Sequence, residues 1–248
     1  MYYYLSDHIY ITQFREELIL LDSKKDKYTI CFKQFSEFLI ELLEETNPHS
    51  KDQFISPSNA QYSSKKLASI QKLLDENIIE RKASPYPFYI DRKANSDGVS
   101  NVDWRLSLEN KKLSLNTQLL SALLILIKVN LYMKFRGLYS TIQLIKKSRK
   151  IQEQYIIPRD EELQHLANMV NTACLMYPTR TKCLEWAMTF VLLALKRKWK
   201  CNLEIGVQNY PFMAHAWVEC DGKVVMDSQD LREGLGVVLN EPFRRMKI

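Results

Sequence analysis

Residues 201–228 read CNLEIGVQNYPFMAHAWVECDGKVVMDS, and they hold three short strand-like runs, CNLEIGVQ, MAHAWVEC and KVVMDS. The chain has four histidines, and His215 is the one set in an alternating strand close to a tail aspartate, Asp227. The turn Cys220-Asp221-Gly222 decides how these two meet. A two-residue Asp-Gly turn would pair Cys220 with Lys223 and put His215 and Asp227 on opposite faces, because strand side chains alternate. A three-residue loop with Gly222 at the left-handed position would pair Glu219 with Lys223 and bring His215 and Asp227 to one face. The second register also sets Glu219 against Lys223, a favourable cross-strand pair, and is the one expected.

Upstream, CLEWAMTFVLLALKRK begins at Cys183 after Pro-Thr-Arg-Thr-Lys, a plausible cap region. A thiol at a helix start sits at the positive end of the helix dipole, with Arg180 and Lys182 nearby, and both effects favour the thiolate. Cys183, His215 and Asp227 then form a chemical series: the thiolate attacks a carbonyl, the imidazole moves the proton, and the carboxylate orients the imidazole. Taken singly, each has a plainer reading: a core cysteine, a structural histidine, a turn aspartate. Cys174 is the rival nucleophile, but its apolar helical neighbours predict a buried, inert thiol.

Three more helices are predicted over roughly 114–133, 138–151 and 159–176. The first third reads differently. HIYITQF, EELILLDS and DKYTICF suggest a three-strand meander. FSEFLIELLEE and SSKKLASIQKLLDENII follow as amphipathic helices, the second capped by Ser63 or Ser64, with Leu67, Ile70, Leu74 and Ile78 on one face. Ala83 to about Asn101, with two prolines and Asp-Gly, reads as a linker or exposed loop. The fold class is α+β, with a first domain over 1–82, a linker over 83–104 and a second domain over 105–248.

Composition narrows the function. Hydrophobic residues make up 46% and charged residues 26%, as in a globular chain. Glycine is scarce, at 6 residues, and no P-loop or GxGxxG is present. The net charge of +6 is unevenly placed: residues 1–82 carry 11 Lys+Arg against 13 Asp+Glu, leaving 24 against 16 for the rest. A net −2 over the first third argues against DNA binding there, since phosphate contacts need a basic face. Five scattered cysteines without a CxxC fit a reducing, cytoplasmic compartment. The N-terminus lacks a basic and an apolar region of a signal peptide, and Leu119–Ile127, cut off by Lys128 and Asn130, is too short to span a bilayer. Stable membrane insertion is not expected.

Residues 183–228 resemble the C-terminal half of the lasso-peptide biosynthesis B proteins, the microcin-maturation leader peptidases. The likeness rests on Cys183 with its helix, Ile205-Gly206-Val207, Pro211-Phe212, the HAWVE at 215–219, and Asp227. It implies a transglutaminase- or papain-like domain with helices on a small antiparallel sheet, and a catalytic Cys183, His215 and Asp227. It also implies that the first third is a winged helix-turn-helix-like recognition domain of three strands plus helices. There the leader of a peptide precursor would add as a strand along Tyr28, Ile30 and Phe32, beside a helix carrying Leu67, Ile70 and Leu74. The implied activity is release of the leader from the core peptide, handing a free amine to an asparagine-synthetase-like macrolactam synthetase. ATP would enter only through that partner, and no metal or cofactor is expected in this chain. The rival readings are an acyltransferase on the same three residues, a non-catalytic precursor-binding chaperone and a DNA-binding regulator.

Overall fold

The computed structural model describes residues 1–44, 57–100 and 117–247, with the backbone alone for 57–65. Its elements in chain order are β1 (Tyr2–Leu5), β2 (Ile9–Phe14), β3 (Glu17–Asp22), β4 (Lys27–Cys31), α1 (Lys33–Glu44), α2 (Pro57–Asp75), β5 (Ile79–Lys82) and β6 (Arg92–Lys93). Then follow α3 (Thr117–Ser148), α4 (Asp160–Met176), α5 (Cys183–Lys196), β7 (Cys201–Gln208), β8 (Met213–Cys220), β9 (Lys223–Val224), α6 (Asp230–Gly234) and β10 (Gly236–Glu241). The architecture is mixed α and β, as expected.

The N-terminal meander forms a sheet of order β4-β3-β2-β6, and β1 pairs separately with β5. Alternation along β2 and β3 explains why this sheet is buried on both faces. Ile9, Ile11, Leu18 and Leu20 join a core built with α1 and α2, whereas Tyr10, Phe14, Ile19 and Leu21 join the core of α3, α4 and α5. The two halves therefore share one apolar interior rather than touching at a polar seam.

Several expectations change here. α2 ends at Asp75, not beyond Ile78: Asn77 turns left-handed (φ 55) and the Ile78 N–H donates to the Leu73 carbonyl at 2.9 Å, closing the helix. Ser63 and Ser64 lie inside this helix, since it starts at Pro57. The stretch from 83 to 100 is not exposed throughout. Tyr86 and Ile90 are buried, β6 pairs parallel with β2, and the Asp91 carboxylate accepts the Val237 N–H at 2.7 Å. Residues 101–104 of the expected linker lie outside the described residues.

The expected helices over 114–133 and 138–151 follow one path in α3, broken at Gly137 (φ 74, ψ 179). Among the described residues α3 is the one helix long and apolar enough to cross a membrane by length and composition, more than Leu119–Ile127 alone implied. One of its faces is core, through Leu119, Ala122, Ile125, Leu126 and Val129. α5 sits against α3 and α4 on one side and β7 and β8 on the other, which is why ten of its residues from Trp186 to Leu195 are buried. The C-terminal sheet has the order β10-β7-β8-β9, so the tail supplies a fourth, fully buried strand, β10, on the far edge of β7.

Candidate functional site

The site lies where the start of α5 meets β8. Lys182 is the N-cap of α5, and its N–H donates to the Glu185 carboxylate at 3.0 Å. Cys183 is thus the first helical residue, half-buried, with the positive end of the helix behind its sulfur. Arg180 and Lys182 are exposed.

His215 is 4% exposed, and its Nε2 lies 2.7 Å from Asp227 Oδ2. With Nε2 engaged by the carboxylate, Nδ1 is the nitrogen left to face the thiol. The other Asp227 oxygen accepts the Ser228 N–H at 2.8 Å, which fixes the carboxylate plane. The imidazole stacks on Trp217, with centroids 6.3 Å apart and planes 23° apart. Gly206, opposite His215 across the strand pair, makes room for that ring: a Cβ there would meet Trp217 at 2.5 Å.

The contact between His215 and Asp227 does not arise by the expected register. Cys220 pairs with Lys223 and Glu219 with Val224, the two-residue turn. Asp221 (φ 49) and Gly222 (φ 81) are both left-handed, as a tight turn matching strand twist requires. Strict alternation would then send Asp227 away from His215. Instead β9 stops at Val224, and Met226 adopts φ 57, which reverses the sense of the chain and returns Asp227 to the histidine. The expected pairing of Glu219 with Lys223 is also absent: Glu219 pairs with Arg232 and Arg245, and Lys223 with Asp160.

Electrostatics favour a charged pair. Burial opposes ionisation of Cys183, but hydrogen bonds from His215 and from the Ala216 and Leu184 N–H groups, together with the imidazolium charge, hold the thiol below its ordinary value. Burial likewise opposes charging of His215, yet hydrogen bonds to Asp227 and Cys183 raise it to about 9. Each group thus favours the charged form of the other, a thiolate beside an imidazolium. Cys174 is buried, and its thiol is pushed up to about 11, chiefly by burial. Among the described residues no cluster of three or more His, Cys, Asp or Glu could hold a metal ion.

Residues 125–240 match the Transglutaminase-like superfamily. This transglutaminase-like domain contains Cys183, His215 and Asp227. Over 59 residues the chain is also 32% identical to the Microcin J25-processing protein McjB of Escherichia coli, a match covering 24% of this chain and 28% of that protein. The chain therefore spans under a third of that relative's length in the matched region. No solved structure matches.

The sheet of the first third reaches the transglutaminase-like site. β4 is its outer strand, and Tyr28, Ile30 and Phe32 follow one another at alternate positions. Tyr28 and Ile30 oppose Leu21 and Ile19, residues of the shared core. Ile30 is 38% and Phe32 81% exposed. Tyr28 packs against Phe212, centroids 5.3 Å apart. Burial, then the charges of Asp26 and Cys183, push its phenol up to about 12, so the ring lies within electrostatic reach of Cys183. The expected helix residues divide: Leu67 is exposed, Leu74 half-buried, and Ile70 is buried in the N-terminal core and offers no free surface.

Sequence reasoning missed the clamp that joins this sheet to the site. Both carboxylate oxygens of Glu17 are taken by the loop before β8, one by the Asn209 side-chain amide and one by the Tyr210 hydroxyl at 3.1 Å. These partners lie 192 and 193 residues apart in sequence, and no local pattern announces them.

Proposed function

We propose that the chain is a cysteine peptidase that cleaves the leader from a ribosomally made lasso-peptide precursor. The observation that carries the reading is Cys183 at a helix start, hydrogen-bonded to a His215 that Asp227 orients. The Cys183 thiolate attacks the scissile carbonyl, and the oxyanion forms beside the Cys183 backbone N–H at the start of α5. His215 gives its proton to the departing amine, which is the new N-terminus of the core peptide. The leader is left as a thioester on Cys183. His215 then takes a proton from water, the hydroxide attacks the thioester, and the leader acid and the Cys183 thiolate are released.

The name of the microcin-processing relative supports the substrate class. The first third is read as the recognition domain. A leader added antiparallel to β4 would cover Ile30 and Phe32, leave the sheet at Tyr28, and present its C-terminal end to Cys183. A macrolactam synthetase using ATP would take up the freed amine.

The transglutaminase-like match keeps acyl transfer as a second reading, because an amine can replace water at the thioester. Incubation of the precursor with wild type and Cys183→Ala, with synthetase and ATP present and with or without an added primary amine, separates the cases by mass spectrometry. Free leader acid from wild type alone supports the peptidase. A leader amide in the amine arm supports acyl transfer, and equal release by both proteins removes Cys183 from the mechanism.

A further inference from the structure

We propose that Cys201 and Cys220 are a redox-active dithiol that closes into a cross-strand disulfide, at a site separate from Cys183 and independent of the peptidase reading. The two cysteines are direct partners in the β7–β8 register. Directly opposed residues of an antiparallel pair have Cα atoms about 4.5–5.5 Å apart, within the range a disulfide spans. Both are free thiols and both are buried. The Cys220 thiol donates onward to the Lys200 carbonyl at 3.4 Å, which aligns it at the strand end.

The two sulfurs are not equivalent. A hydrogen bond from Cys201 lowers Cys220, while the same contact raises Cys201. One acidified thiol backed by a second one in contact is the arrangement that thiol–disulfide exchange uses. Access is asymmetric in the same sense. Cys220 adjoins the Asp221-Gly222 turn, and β9 beyond it is a two-residue edge strand. Lys200, Asp221 and Gly222 line a cleft of about 580 Å³ whose basic side chains, Lys200 with Arg149, Arg232, Arg244 and Arg245, outnumber its carboxylates, Asp221 and Glu219. Such a cleft favours an anionic reagent, and a glutathione-type disulfide carries carboxylates.

The step balances as follows. The Cys220 thiolate attacks one sulfur of glutathione disulfide, forming a mixed disulfide and expelling one glutathione thiolate. The Cys201 thiol loses its proton and attacks the Cys220 sulfur, forming the Cys201–Cys220 bond and expelling the second glutathione. The protein loses two electrons and two protons, and the reagent becomes two glutathione thiols.

The test uses the full chain, as wild type and as Cys183→Ala, so that the reactive Cys183 is absent from one arm. Each is equilibrated in glutathione buffers from reducing to oxidising, quenched in acid, alkylated and mapped by peptide mass spectrometry. The expected result is a Cys201–Cys220 linked peptide whose fraction follows the glutathione ratio in both proteins, with Cys31 and Cys174 alkylated as free thiols. Cys201→Ser, shown folded by circular dichroism, is expected to trap glutathione on Cys220. Absence of the linked peptide at every ratio, or linkage of either cysteine to Cys174 or Cys183, overturns the proposal.

Discussion

Cys183 and His215 each favour the other's charged form, and that sets how the site responds to pH. The thiol lies below its ordinary value and the imidazole at about 9. Alkylation of Cys183 and precursor cleavage are therefore expected to switch on below the ordinary thiol range as the pair forms. Cleavage is expected to decline as His215 loses its proton near pH 9, because the departing amine then has no donor. An acid limb near pH 9 in a pH–rate profile would contradict this. Asp227→Asn keeps the shape but removes the charge that orients and stabilises the imidazolium, with an expected loss of about 10²–10⁴-fold in kcat and little change in KM. The residue types of this site could be named from sequence because histidine is scarce and a cysteine opens an apolar helix. The path that brings Asp227 to His215 could not, because the Asp-Gly turn admits two registers and the left-handed Met226 has no sequence signature.

At the scale of the elements, the proposed recognition of the precursor is tested on β4 and on the loop before β8. Burying an aromatic side chain is worth about 1.5–3 kcal/mol. Phe32→Asp is therefore expected to raise the precursor KM by about ten- to hundredfold. Its kcat and its reaction with a small alkylating agent at Cys183 should stay unchanged. An unchanged KM would detach β4 from recognition. Glu17→Ala cuts the tie between β3 and the Asn209–Tyr210 loop and is expected to lower kcat, with Glu17→Gln restoring part of it. Gly206→Ala would push Trp217 away from His215 and is expected to cost both stability and rate. The meander and the helices were legible because their periods of 2 and 3.6 are strong over these lengths. β10 was not, since GVVLNE is buried at every position and so shows no alternation of period 2. The tie at Glu17 joins positions nearly the whole chain apart.

Over the whole molecule, the first third and the transglutaminase-like domain share one interior. Residues 117–247 expressed alone are expected to show disordered packing by near-ultraviolet circular dichroism, because Tyr10, Phe14, Ile19 and Leu21 would be missing from that core. A cooperative melt of the fragment would contradict a shared core. Glu204 adds a pH effect on stability. It is fully buried, and burial, partly offset by Arg245, raises it to about 8. The folded state thus keeps a proton that the unfolded chain releases near 4.5, so its stabilising contribution falls as pH rises from about 4.5 through about 8. Glu204→Gln should melt close to wild type at pH 5.5 and above it at pH 9. The shared interior was hidden at the sequence level by the prolines and polar residues of 83–100, which read as a linker although Tyr86, Ile90 and Asp91 tie that stretch into the fold.

The most direct measurement is the mass of the enzyme itself, taken by acid quench within the first turnovers on the cognate precursor and followed by peptide mapping. A transient adduct equal to the leader less one water, located on Cys183 and absent from Cys183→Ala, is the expected result. Leader release without any adduct on Cys183, or an adduct on Cys174, would contradict the assignment of the nucleophile.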